Sequence, residues 1–220
     1  MLDASAHRPL GPSRRTDVVE AVQEASAIIR NHTAKRQKRP RRIGKEPAVL
    51  LKLDLGCGAT KREGFLGVDL HQTDAVDVLC DLRGVPWPWP DSSVGEVVSS
   101  HFLEHLDGPE RIMFMDELWR VMAVDAQATI IVPYYNSIRA SQDPTHKWPP
   151  VSEASFLYFN RQWRSDNGLA HYLGHCNFDF AYSYVTDNAW ASRNQETRDF
   201  ALRHYTNVVL DLSVLLTKRA

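Results

Sequence analysis

Glycine and aspartate residues follow three short apolar runs, and their spacing points to a small-molecule site. Residues 48–55 end at Gly56-Cys57-Gly58, residues 65–68 end at Asp69, and residues 75–80 end at Asp81. Runs of this length predict buried strands, and the carboxyl ends of parallel strands meet at one ligand crevice. A carboxylate after the second strand suits the two hydroxyls of a ribose, and one after the third suits an exocyclic amine.

A dinucleotide site fits this stretch poorly. The nucleotide-binding fingerprint needs a third glycine and an acidic residue about 20 positions further on. Lys61 stands where the third glycine belongs, and Asp69 comes too early. Residues 59–64 are also too few for the long helix whose N-terminus holds a pyrophosphate.

Five segments resemble the class I S-adenosylmethionine-dependent methyltransferases, particularly the small "type 11" group. They read LDLGCG, GVDL, CDL, WPDSSVGEVVSSHFLEHL and ELWRVM, in the order and spacing of that family, and lie within residues 48–135. The resemblance implies an α/β fold: a Rossmann-like, seven-stranded, mostly parallel sheet with helices on both faces and an antiparallel last strand.

The same resemblance implies S-adenosylmethionine as cofactor and gives its contacts. The methionine end falls to Asp54, Gly56, Cys57 and Gly58, the ribose to Asp69, and the adenine to Asp81 with Leu82. Leu70 and Ser100, which follow the second strand and end the fourth, complete the predicted cofactor-binding set.

Three residues are predicted to act in catalysis: His101, His146 and Asp143. His101 follows the fourth strand directly, and Pro144 restricts Asp143 to an extended conformation that aims it and His146 at one cavity. His105 is a further candidate base, whereas we expect Glu104 to anchor the helix or the amino group of the cofactor. A fifth strand is predicted over residues 128–132. Where it opens onto the crevice, Tyr134, Asn136 and Arg139 are predicted to bind the substrate.

Composition and charge favour one main domain with an N-terminal extension. The 220 residues, 43% of them apolar, can bury one substantial core over residues 48–220, with a substrate-side lid at about 134–190. Residues 1–47 are predicted to form a helix at 16–31 and a basic arm. Seven basic residues and no acidic one lie from Lys35 to Lys45, although the net charge is −1.

Targeting signals and metal sites are not expected. The chain has no apolar run of membrane length, no secretory signal, and three cysteines without framework spacing, which predicts a cytoplasmic protein with reduced thiols. No metal site is predicted. His171 and His175 are four residues apart but lack a second ligand pair, and we assign them structural or surface roles.

The predicted function is methyl transfer from S-adenosylmethionine to an oxygen or nitrogen of a small or medium acceptor. Two alternatives stay open: a nucleic-acid methyltransferase that uses the basic arm, and a cofactor-binding interaction subunit without catalysis. Neither base amino methylation nor cytosine C5 methylation is supported. After the fourth strand the chain has Ser-Ser-His-Phe without proline, and no cysteine stands in a Pro-Cys pair.

Overall fold

A computed structural model describes residues 49–172 and 174–220 of the chain. The helix predicted at 16–31 and the basic segment from Lys35 to Lys45 lie outside the described residues. Within those residues, no helix is both long and apolar enough to cross a membrane.

The described residues form a seven-stranded sheet in the order β3-β2-β1-β4-β5-β7-β6. Strands β1 to β5 run parallel, and β7 lies antiparallel between β5 and β6. This confirms the predicted fold class, including the antiparallel last strand. The strands are β1 (Leu51–Leu55), β2 (Leu66–Asp69), β3 (Val78–Leu79), β4 (Val94–Ser100), β5 (Met122–Pro133), β6 (Phe178–Thr186) and β7 (Val209–Lys218).

Helices flank this sheet, and the longest of the described helices joins β4 to β5. Helix α1 (Gly108–Val121) begins with a capping box, in which Asp107 and Glu110 each accept a hydrogen bond from the other's backbone N–H. The remaining helices are α2 (Arg139–Gln142), α3 (Arg161–Asp166), α4 (Asn188–Ala191), α5 (Gln195–His204) and two 3₁₀ helices (Leu103–His105 and Glu153–Phe159).

The main core lies between the sheet and α1. Leu53 and Val97 from the sheet and Phe114 and Leu118 from α1 belong to one buried cluster. On the other side of β1 and β4, the exposed side chains of Lys52 and Glu96 form an ion pair with an N–O distance of 2.6 Å. The sheet therefore has a well-packed face that fixes where its strand ends lie.

Two strands differ from the sequence prediction. We expected β5 over residues 128–132, but it begins at Met122. Met122 pairs with Val94 and Gln127 pairs with Glu96, so residues 123–126 bulge out of the register, with Asp125 at a φ of 65°. The run at 75–80 was expected to be a full strand, yet only Val78 and Leu79 pair with β2.

The range 134–190, predicted as a substrate-side lid, has sheet at its end. Residues 178–186 form β6, the edge strand, which pairs with β7 along its length. Sequence analysis did not predict this strand, because its aromatic residues are equally compatible with packing in a lid. The stretch between the sheet strands is residues 134–177.

Candidate functional site

The site begins at the turn after β1, where two glycines have backbone conformations that side chains disfavour. Gly56 has a φ of 72° and Gly58 a φ of 58°. A Cβ on Gly56 would also lie 2.6 Å from the ring of Phe102. The turn therefore needs glycine at Gly56 for its conformation and for the close approach of Phe102.

Asp69, at the end of β2, faces this turn and is held by two backbone donors. The N–H of Gly58 donates to its Oδ2 and the N–H of His71 to its Oδ1, both over 2.9 Å. A carboxylate oxygen can accept more than one hydrogen bond, so both oxygens can take a further donor. Asp69 is thus oriented by the fold and keeps the capacity to bind two hydroxyl groups.

A cavity of about 380 Å³ opens beside Asp69, at the carboxyl ends of the strands. Four predicted cofactor residues line it: Asp69, Leu70, Asp81 and Leu82. Sequence analysis did not assign the other lining residues to the cofactor, although all of them follow strand ends closely. They are His71, Cys80, Arg83, Phe102, His105 and Leu106.

Asp81 already has a partner in the structure. The guanidinium of Arg83 donates from Nε to Oδ1 and from Nη2 to Oδ2, over 2.9 and 3.0 Å. These hydrogen bonds hold the pKa of Asp81 below its usual range. A ligand amine at Asp81 would share this exposed carboxylate with Arg83, which the sequence did not indicate.

Asp54 and Cys57 support the loop and do not line the cavity. Asp54 is 7% exposed, and its Oδ2 accepts a hydrogen bond from the N–H of Arg62 over 2.7 Å. Burial raises the pKa of Asp54. The Cys57 thiol packs in a small buried cluster with Ala75 and Val76. Gly56, Gly58 and Ser100 are likewise absent from the cavity lining.

His101 follows Ser100 and has a left-handed backbone, with a φ of 55°. Its N–H donates to the carbonyl of Ile131, which ties it to the end of β5. The side chain is half exposed, and Nδ1 lies 3.3 Å from Oε1 of the buried Glu104. Interaction with Glu104 raises the pKa of His101. His101 does not line the cavity at the strand ends, although the next residue, Phe102, does. Its left-handed backbone nevertheless makes it a candidate for function.

His105, His146 and Asp143 come together next to Glu104. The rings of His105 and His146 meet edge to face, with 4.8 Å between centroids. Asp143 Oδ2 lies 3.9 Å from Nε2 of His146, and Asp143 Oδ1 accepts a hydrogen bond from Thr145 Oγ1. The structure therefore brings together two of the predicted catalytic residues, His146 and Asp143, with His105 between them and the cavity.

The three predicted substrate residues have different surroundings. Tyr134 is buried against the ring of Tyr184, and burial raises its pKa. Asn136 donates through Nδ2 to the carbonyl of Tyr205, which is a structural contact. Arg139 is half exposed and pairs with the buried Asp211 over 2.7 Å.

Comparison with known proteins identifies the fold. No family model and no curated protein matches the chain. Among solved structures, a S-adenosylmethionine-dependent methyltransferase from Archaeoglobus fulgidus is similar over 89% of this chain and 94% of its own, with a TM-score of 0.51 and 20% sequence identity. At that identity the similarity shows the fold of a methyltransferase and leaves the reaction open.

Two further structures are similar at TM-scores below 0.5, and nothing about this protein is inferred from them. One is a putative methyltransferase from Haloferax volcanii in complex with a methyltransferase activator, at 16% identity over 91% of this chain and 95% of its own, with a TM-score of 0.46. The other is 1,6-didemethyltoxoflavin-N1-methyltransferase from Burkholderia thailandensis, at 11% identity over 99% of this chain and 95% of its own, with a TM-score of 0.48.

Proposed function

We propose that the protein is an S-adenosylmethionine-dependent methyltransferase that acts on an oxygen or nitrogen of a small or medium acceptor. The observation that carries this proposal is the cavity at the strand ends, which is lined by Asp69, a carboxylate that the glycine turn orients through the N–H of Gly58. Its volume of about 380 Å³ is that of a small-molecule pocket. The similarity of the fold to that of a methyltransferase also supports this proposal.

The residues around the cavity fit the cofactor in three respects. Asp69 has spare acceptor capacity for two ribose hydroxyls. Cys80, Asp81 and Leu82 lie in sequence along the lining, which suits a flat base against an apolar wall with a carboxylate at its edge. The positive φ values of Gly56 and Gly58 turn the backbone sharply after β1. Cys57 would contribute through its backbone alone, because its thiol is packed elsewhere.

When bound, S-adenosylmethionine supplies an electrophilic methyl group to the acceptor. The protein then has two tasks: to hold the acceptor in line with the methyl group, and to take the proton that the acceptor loses. We assign proton removal to His101, because its side chain is half exposed at the end of β4 and Glu104 lies on the Nδ1 side of the ring. The raised pKa means that the neutral, proton-accepting form of His101 predominates only above the ordinary value of about 6.5.

Acceptor positioning falls to the residues after β5 and to the segment that holds His146. Arg139 and its partner Asp211 both act electrostatically on His101, and we assign them to orienting an acceptor beside it. Tyr134 is buried and shapes the wall. Nothing among the described residues favours the nucleic-acid alternative, which depends on the basic arm at Lys35 to Lys45.

Calorimetry with three ligands tests the proposal. We expect S-adenosylmethionine and S-adenosylhomocysteine to bind with micromolar dissociation constants, equivalent to about −8 kcal/mol, and NAD not to bind. Binding of NAD in place of the two sulfur compounds would overturn the cofactor assignment. Binding of the cofactor without turnover, after a broad screen of acceptors, would support the alternative of a non-catalytic subunit.

A further inference from the structure

The least satisfied charged group among the described residues is the carboxylate of Glu104. Glu104 is 5% exposed, and both of its side-chain oxygens are buried without a hydrogen-bond partner. His101 Nδ1 comes within 3.3 Å but without hydrogen-bond geometry. A buried carboxylate is costly unless it is paired or binds a metal. His101 approaches Oε1, so Oε2 is left without any partner in the described part of the chain and can bind a cation.

Arg111, a buried cation that interacts electrostatically with Glu104, donates its hydrogen bonds to other groups. Its Nε donates to the carbonyl of Leu103, Nη2 to that of Lys147 and Nη1 to that of Pro149. Arg111 thus adds a favourable charge at a distance and leaves the oxygens of Glu104 without a direct donor.

The hydrogen bond between His105 and Thr145 decides which ring nitrogen of His105 keeps a free lone pair. Thr145 Oγ1 lies 2.7 Å from Asp143 Oδ1 and 2.9 Å from His105 Nδ1. The hydroxyl has one proton and gives it to the carboxylate, so it accepts from Nδ1–H of His105. This fixes the tautomer and leaves the lone pair on Nε2. A histidine oriented by an outer carboxylate in this way is typical of metal sites.

His146 reaches the same state through a different partner. Its Nδ1 lies 3.2 Å from the carbonyl oxygen of Ala140. A carbonyl can only accept, so Nδ1 bears the proton and Nε2 bears the lone pair. One ligand atom from each of Glu104, His105 and His146 lies within 4.8 Å of the others.

The two segments that supply these groups are fastened together. The N–H of Lys147 donates to the carbonyl of Glu104 over 2.8 Å. Arg111 joins Leu103, on the first segment, to Lys147 and Pro149, on the second. The three side chains are therefore held near one another by the backbone before any ion arrives.

We propose that Glu104, His105 and His146 form a binding site for a divalent transition-metal ion, best suited to Zn²⁺. Two histidines and a glutamate are a zinc set that leaves the fourth position open to water or substrate. Ligand distances of about 2.0–2.2 Å place the donor atoms about 3.3 Å apart in a tetrahedron, so modest side-chain rotation closes the site. The site revises the prediction that the chain has no metal ligands.

The position of the site gives it a role. His105 also lines the cavity at the strand ends, so the ion would lie in the wall of that cavity. Resting on the proposed function, we assign the open coordination position to an oxygen or nitrogen of the acceptor. The metal site itself does not depend on the cofactor assignment.

Cobalt is the probe for this site, since Co²⁺ bound by four or five ligands absorbs visible light. The full-length protein is first treated with a chelator and dialysed, and then titrated with Co²⁺ in the absence of S-adenosylmethionine. We expect saturation at one equivalent and full displacement by one equivalent of Zn²⁺. Glu104→Gln, His105→Gln and His146→Gln should abolish the signal. Thr145→Val removes the hydroxyl that links His105 to Asp143 and leaves the three proposed ligands in place, so it should weaken binding about 10–100-fold.

A double variant, His171→Gln with His175→Gln, is the matched control. It removes two histidines that lie four residues apart in the sequence and outside the proposed site, and it should bind Co²⁺ like the wild type. Circular dichroism establishes that each variant is folded. If a ligand variant does not fold, the exposed Thr145→Val decides the matter, because unchanged affinity there contradicts the site.

Three results would overturn the proposal: no Co²⁺ binding by the wild type, wild-type affinity in folded Glu104→Gln, or loss of binding in the double control. Tighter binding of Fe²⁺ than of Zn²⁺ under anaerobic conditions would overturn the choice of metal, since two histidines and one carboxylate also suit iron. Because no cofactor is present, failure of this experiment and failure of the methyltransferase proposal are distinguishable.

Discussion

The carboxylates at the ends of β1, β2 and β3 are held by donors within residues 54–83, whereas hydrogen bonds in the region after β4 also join segments that are far apart in the sequence. In the glycine-loop region (residues 54–83), Asp54 binds the N–H of Arg62 and Asp69 that of His71, eight and two positions away. In the histidine region (residues 101–149), Arg111 reaches Pro149, 38 positions away.

This contrast teaches how each side of the site is stabilised. In the glycine-loop region, the carboxylates find their hydrogen-bond donors within the region itself. The histidine region exists only when the segments at 103–105 and 145–149 are joined. Substitutions that separate those segments should therefore spare cofactor binding and damage acceptor handling.

The largest effect is expected from His101→Gln. If His101 removes the proton of the acceptor, the variant should lose roughly 10²–10⁴-fold in rate and keep its affinity for the cofactor. Single-turnover kinetics with an identified acceptor and calorimetry with S-adenosylhomocysteine measure the two quantities. A near-normal rate would show that positioning alone carries the reaction, and Asp143 and Arg139 would be tested next.

Arg111→Met tests the hydrogen bonds that join the segment at 103–105 to the segment at 145–149. The variant leaves three carbonyl groups without their donor, and hydrogen bonds to charged groups contribute about 1.5–3 kcal/mol each. Methionine also relieves the cost of burying a guanidinium, so the net loss of unfolding free energy should be about 3–5 kcal/mol. Urea denaturation measures the loss. The exposed Arg83→Met is the control and should cost less than about 1 kcal/mol. Equal losses in both would contradict the role assigned to Arg111.

Asp69→Ala tests the glycine-loop region. It should weaken binding of S-adenosylhomocysteine by about 2–4 kcal/mol, or roughly 30- to 700-fold, because a charged acceptor for two hydroxyls is removed. Asp74→Ala, an exposed acid on the same loop, should change the dissociation constant little. If Asp74→Ala weakened binding as much as Asp69→Ala, the ribose would not lie at Asp69.

Arg83→Ala sharpens the placement of the adenine. Arg83 now occupies both oxygens of Asp81, so its removal frees them for the ligand amine. An exposed ion pair contributes at most about 1 kcal/mol, so affinity for S-adenosylhomocysteine should rise by up to about fivefold. Calorimetry at matched ionic strength measures the change. A marked loss of affinity would show that Arg83 itself binds the ligand.

The smallest expected effect is on the titration of His101. In protein kept free of metal by a chelator, Glu104 holds the pKa of His101 above its ordinary value, since a carboxylate favours the charged imidazole. Glu104→Gln removes that charge and should lower the pKa towards about 6.5. Nuclear magnetic resonance of the histidine ring protons measures the pKa of His101 in the wild type and in the variant. An equal pKa in the two proteins would mean that Glu104 does not act on His101.

The same contrast explains what the sequence could predict. Strand ends, the glycine turn and Asp69 could be found because apolar runs and the residues that end them are local patterns. The full extent of β4 was predictable for this reason. The length of β3 could not be predicted in this way. Only two residues of the apolar run at 75–80 pair with β2, and that pairing is set by the sheet.

Glu104 shows why the histidine region could not be predicted. Its neighbours in the chain suggested a helix anchor, and nothing near it indicated that its oxygens would be buried without donors. Its surroundings come from residues 145–149 and from Arg111, which are joined to it only in the folded protein. The bond from Thr145 to His105 spans 40 positions and has no local signature.

The brevity of β3 has a consequence for motion. Val78 and Leu79 form the edge of the sheet, and the N–H of Cys80 bonds to Asp69 beyond the last paired residue. Edges with few hydrogen bonds open far more often than the centre of a sheet, and amide exchange reports such openings. The backbone amides near Cys80 and Asp81 should therefore exchange with solvent faster than those of β1 and β4. A ligand that bridges Asp69 and Asp81 would slow the exchange of these amides first.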